Sequence, residues 1–138
     1  MTWKDKMAEF GGGDVAFLSE DGEMITFIVI ADPFLIEGKY RGTDTERIAC
    51  PVVTEDGFSL LVVGKRAARR ISKHEERFKD SAFVLIRHGE QGDTKTTYEL
   101  KGCDDPGLTE SLFKSAQGVD FTEDIKAAVE QAKEIAIT

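Results

Sequence analysis

The chain has little of what a disulfide scaffold, a metal centre or a membrane span needs. Its 138 residues include two cysteines, Cys50 and Cys103, and two histidines, His74 and His88. There is no CxxC, and so few ligands give zinc nothing to bind; two reduced thiols are expected, with a Cys50–Cys103 bridge the open alternative. No metal or other cofactor is expected. No apolar run nears the roughly 18 residues of a membrane helix; none is longer than the five residues of 27–31, which is strand-sized. Lys4 and Lys6 are followed by no apolar segment, so no secretory signal is expected and the expected location is cytoplasmic. Internal repeats and low-complexity stretches are absent. Catalytic signatures are absent too: there is no GxSxG, no P-loop and no GxGxxG, and neither histidine has an HxxxH partner. Gly89 and Gly92 belong to a turn that opens no helix, so they cradle no phosphate. No enzymatic activity is expected; a small hydrolase or nuclease subunit is the weakest alternative.

What is present is the composition of one globular domain over 1–138, with 41% apolar and 32% charged residues, enough to bury a core unaided. The net charge of −8 argues against a nucleic-acid partner until its distribution is read. Residues 1–61 carry 5 Lys/Arg against 12 Asp/Glu, residues 62–101 carry 10 against 6, and residues 102–138 carry 3 against 8. A basic middle between acidic ends can present a local positive groove.

Trp3, Met7 and Phe10 at near-helical spacing predict a helix or arm over 1–12, ended by Gly11, Gly12 and Gly13. Strands are predicted over 15–18 and 23–30 around the Asp21-Gly22 turn. Asp32-Pro33 closes the second, and 34–46 reads as a glycine-rich loop. Strands over 47–53 and 58–63 flank Glu55-Asp56-Gly57. A cationic helix over 65–78 follows, then strands over 82–87 and 94–100 around the loop 89–93. The acidic region 102–138 reads as two helices, the second capped by Thr122 with Ile125, Val129, Ala132 and Ile135 as its apolar stripe. Short strands with a helix before the last pair predict a mainly β fold with helices. The expected form is a five-stranded β-barrel over 13–101 of the oligonucleotide-binding (OB) type, carrying C-terminal helices. A small β-sandwich or an SH3-like barrel also satisfies the pattern.

Proteins that bind single strands need cations along the phosphates and aromatic faces for the bases. Both interleave here. Tyr40 stands between Lys39 and Arg41, with Phe34 before them and Arg47 after. Arg87 ends one strand, while Lys95 and Tyr98 lie on its partner. Phe34 and Tyr98 read as well as core residues, whereas Lys39-Tyr40-Arg41 reads as exposed. Arg66, Arg69, Arg70, Lys73 and Arg77 follow i, i+3, i+4, i+7, i+11 spacing, which puts them in one stripe on the helix, in a cluster with Lys65 and Lys79. The plain alternative is a solvated face; an anion in the stripe would relieve its self-repulsion.

The segment 83–100, FVLIRHGEQGDTKTTYEL, resembles the strand pair of phage-type single-stranded DNA-binding proteins, where F-x-I-x-R-x-G and a glycine turn lead to D-T-x-Y-x-L. Arg87, Gly89, Gly92, Asp93-Thr94, Tyr98 and Leu100 stand in that pattern, with two extra residues between Thr94 and Tyr98. Asp32-Pro33 and the segment around Tyr40 resemble the family's first hairpin region. The resemblance implies an OB fold and sequence-independent binding and protection of single-stranded DNA in phage replication or recombination, without catalysis. It implies replication or recombination proteins as partners of the acidic C-terminal region, allows a homo-oligomer, and involves no membrane. The family's zinc-binding cysteine group is not carried over, because only Cys50-Pro51 stands in its place. The expected contacts are Phe34, Tyr40 and Tyr98 for stacking. For phosphate they are Lys39, Arg41, Arg47, Lys65, Arg66, Arg69, Arg70, Lys73, Arg87 and Lys95. The alternative from another class is an acidic adaptor or virion structural protein that uses the barrel for protein contacts.

Overall fold

The β-branched and aromatic runs read above do form strands. The computed structural model describes residues 15–40, 42–90 and 95–137; the helix or arm expected over 1–12 lies outside them. The elements in chain order are β1 (Val15–Ala16), β2 (Met24–Val29), β3 (Phe34–Tyr40), β4 (Thr43–Thr54), β5 (Gly57–Val63), α1 (Lys65–Ser72), β6 (Phe83–His88), β7 (Thr97–Gly102), α2 (Pro106–Ala116) and α3 (Thr122–Ile137). The fold is mainly β with helices.

All strands belong to one sheet, ordered β1-β5-β4-β2-β6-β7, with β3 also on β4. Its ends, β1 and β7, are not paired with each other among the described residues, so the sheet is not closed. It curls because two strands are shared. Residues 24–27 of β2 pair with β6, while Ile28 and Val29 pair with Val53 and Val52 of β4. The first half of β4 pairs with β3, and its other edge with β5.

Two expectations change. Residues 34–46 form a hairpin rather than a loop, with β3 and β4 in register from Phe34 opposite Ala49 to Tyr40 opposite Thr43. The glycines there suggested a loop, yet Gly38 sits in the ladder opposite Thr45, and Gly42, at φ 80°, serves the reversal. The helix over 65–78 is also shorter. α1 stops at Ser72, and a 3-10 turn, Glu75–Arg77, follows. Continuing α1 would set Glu75 and Glu76 against the negative end of its dipole; in the separate turn they occupy the first positions.

Three apolar clusters hold these elements. Inside the curl, Phe27, Leu61, Phe83 and Leu85 pack with Ala67 and Ile71 of α1. On the outer face, Ala128, Val129 and Ala132 of α3 cover Ile36, Ala49, Leu60 and Val62. Leu112 of α2 covers Ile28, Val53 and Ala82. β5 is therefore buried on both sides, which explains why residues 60–63 run Leu-Leu-Val-Val without alternation. Asp105 caps α2, its carboxylate accepting from the Leu108 N–H at 3.1 Å. At the head of α3 the acceptor is Asp120 rather than Thr122. Its carboxylate takes the Thr122 hydroxyl at 2.6 Å and N–H at 3.0 Å, which holds its pKa below the usual carboxylate value. Among the described residues no helix is long and apolar enough to cross a membrane.

Both cysteines are free thiols. Burial pushes the Cys50 thiol up to about 11, while Cys103 is half-buried. An aromatic disulfide reagent near pH 8 should titrate one thiol in the folded protein and both in denaturant, because the thiolate is the nucleophile. Two fast thiols in the folded protein would contradict the burial of Cys50.

Candidate nucleic-acid interface

α1 starts after Gly64, which is extended and offers no capping side chain. No carboxylate occupies its first turn; Lys65 and Arg66 do. Cations there oppose the helix dipole at about 0.3–1 kcal/mol each, so helix stability does not account for them. Ala67 and Ile71 are buried, whereas Lys65, Arg66, Arg69, Arg70 and Lys73 are exposed. Lys65 pairs with Glu46 of β4, tying the helix start to the β3–β4 hairpin. Arg70 donates to the Tyr98 carbonyl. Arg66, Arg69 and Lys73 have no side-chain partner among the described residues.

The two flanks of α1 differ. On one, Ala68, Ile71 and Phe78 face Ile48 and Cys50 across a largely apolar groove of about 820 Å³ under the β2–β3 bend, which Asp32, Glu75, Glu76 and Lys79 also line. Leu35, 47% exposed and directly across the ladder from Ile48, extends this surface. On the other flank, Arg70, Lys73 and His74 face Tyr98 and Leu100 across a cleft of about 360 Å³. A larger cavity of about 880 Å³ lies away from α1 and is lined by Glu55, Asp56 and Asp124 with no cation. Phosphate is repelled there.

The expected contacts separate into groups. Lys39 shares its face of β3 with Leu35 and Glu37, and Glu37 lies opposite Glu46, the partner of Lys65. Lys39 and the cations of α1 therefore border one surface. Phe34, 41% exposed, and Arg47 lie on the other face of the hairpin, the face that α3 covers at Ile36 and Ala49. They are not brought together with α1. Tyr40 ends β3 opposite Thr43, and Arg41 lies outside the described residues.

Arg87 and Tyr98 form a third group, and they are occupied with each other. The Arg87 guanidinium donates to the carbonyls of Gly89 (2.9 Å), Leu18 (3.0 Å) and Glu90 (3.1 Å), to the Tyr98 hydroxyl (3.0 Å) and to the Thr96 hydroxyl (3.3 Å). Those bonds use every donor an arginine has. Its carbon also lies 6.0 Å from the centre of the Tyr98 ring. Tyr98 packs against the inner core. This pair fastens the β6–β7 hairpin to the segment before β2. Lys95 is exposed just ahead of β7.

His74, given no role by the sequence, and Arg77, read as part of the cationic stripe but not among the expected contacts, both border β7. His74 lines the cleft, and an Arg77 nitrogen lies 3.9 Å from where a Cβ on Gly102 would be. α1 ends at Ser72, so helical spacing from Arg70 does not place them; the 3-10 turn after it does. Among the described residues no group of three or more His, Cys, Asp or Glu is placed to hold a metal ion. No protein-family model, curated protein or solved structure matches the chain.

Proposed function

We propose that this chain is an OB-type domain that binds single-stranded DNA without sequence preference, with phosphates on the exposed face of α1 and bases against the apolar groove beside it. The observation that carries this reading is the row Arg66, Arg69 and Lys73: exposed, without side-chain partners among the described residues, and on a helix whose dipole the first of them opposes. The adjoining groove supplies apolar surface for unpaired bases.

The connectivity supports the OB reading once β2 and β3 are counted as one strand bent at Asp32-Pro33. That strand bonds to both β4 and β6, and α1 falls between β5 and β6. The gap in the ring lies between β5 and β7, where the two-residue β1 runs along β5. In OB folds the second and third strands commonly offer their outer face to nucleic acid. Here α2 and α3 cover that face, which favours the α1 side as the path. No reaction is catalysed; the bound strand is shielded, a role suited to phage DNA replication or recombination.

A fluorescence-anisotropy titration with labelled oligo(dT) tests this reading. Binding should appear at low salt and weaken with a log–log slope of about −2 to −3.5, since each of roughly three to five phosphates contributes about −0.7 on single strands. No binding at low salt would overturn it.

A further inference from the structure

We propose that the open edge of β7 is a strand-addition site for an extended acidic peptide of a partner protein. The hydrogen-bond directions identify the edge. The Arg87 N–H donates to the Glu23 carbonyl, and its own carbonyl accepts from Gly22. Arg87 thus turns its backbone away from its opposite number, Tyr98. Tyr98 is then a non-bonded ladder position whose N–H and C=O point outward, and by alternation so do those of Leu100 and Gly102. The Tyr98 carbonyl is met by Arg70. The Leu100 and Gly102 groups have no partner among the described residues.

An unpaired edge is a ready template for another strand. The surroundings of this one select the charge of what it accepts. Arg70 stands at Tyr98, Lys73 and His74 line the cleft beside Leu100, and Arg77 reaches Gly102. Basic groups therefore flank the edge at Tyr98 and Leu100, and Arg77, which lies over the Phe83 ring, adds one at Gly102. Carboxylates are present as well: Glu99 lines the cleft and accepts from His88 at 3.0 Å, and Asp80, Asp104 and Glu110 line the surface around Arg77. An incoming strand can pair with the Leu100 and Gly102 backbone while its carboxylates meet the basic groups. This inference does not rest on the DNA reading.

The test uses the intact protein and a fluorescein-labelled heptapeptide alternating glutamate with valine. It should bind at least about tenfold tighter than the same peptide with lysine for glutamate. It should also slow amide exchange at Leu100 and Gly102 by about tenfold or more at saturation. Arg77→Gln should weaken the peptide several-fold and leave oligo(dT) affinity unchanged. The proposal is overturned if the glutamate peptide does not bind, if the lysine peptide binds as tightly, or if binding leaves exchange at 98–102 unaltered. It is equally overturned if raising protein concentration alone protects these amides, because a second copy would then hold the edge.

Discussion

Replacing Arg66, Arg69 and Lys73 together by glutamate should weaken oligo(dT) binding at 0.1 M salt by about 100-fold or more. On single strands each phosphate contact contributes about 0.7 of a decade per tenfold change in salt, so three lost contacts remove about two decades at 0.1 M relative to 1 M. Reversed charge adds repulsion to that loss. The fold should not suffer. All three side chains are exposed and have no side-chain partner among the described residues. A carboxylate at position 66 suits the helix dipole better than a guanidinium does, while carboxylates at 69, in the last turn, and at 73, the C-cap, oppose it by about 0.3–1 kcal/mol each. The melting temperature should therefore fall by no more than about 3 °C while affinity falls about 100-fold, a combination that separates a lost contact from a damaged protein. A triple variant that binds like the parent would remove α1 from the path.

Arg87→Met should have the opposite profile. It leaves the Leu18, Gly89 and Glu90 carbonyls and two hydroxyls without their common donor. Hydrogen bonds to charged groups are worth about 1.5–3 kcal/mol each. The site is half-buried and water can replace part of that, so a net loss of about 2–4 kcal/mol is expected. For a domain of this size that is a fall of roughly 6–12 °C in melting temperature. Arg87→Lys should recover less than half, because an ammonium cannot reach acceptors arranged around a planar fork. Below its melting point the methionine variant should keep oligo(dT) affinity within about threefold, since Arg87 shares no hydrogen-bond partner with the cations of α1 except Tyr98 and independent sites couple by only about 0.3–0.5 kcal/mol. An unchanged melting point with lost affinity would return Arg87 to a phosphate contact.

The contrast between these variants shows where the sequence was legible. The stripe on α1 could be read from spacing alone, because helical periodicity is local. Arg87 and Tyr98 could be recognised as a cation and an aromatic on paired strands. That they serve each other could not, because the Leu18 carbonyl comes from 69 positions away. The β3–β4 hairpin was hidden by glycines that a ladder tolerates at an exposed edge. The apolar stripe of α3 was visible in Val129 and Ala132, but which face it covers depends on contacts with Ile36 and Leu60, far earlier in the chain. That covering helix separates Phe34 and Arg47 from the cations of α1, and no reading of local pattern could have placed it.

Backbone amide shifts of isotopically labelled protein, followed while oligo(dT) is added, locate the DNA path on the protein. The largest shifts should fall over 65–73 and around Leu35 and Ile48, with α3 essentially silent. Largest shifts on α3, or at Glu55 and Asp56, with α1 unmoved, would contradict that path.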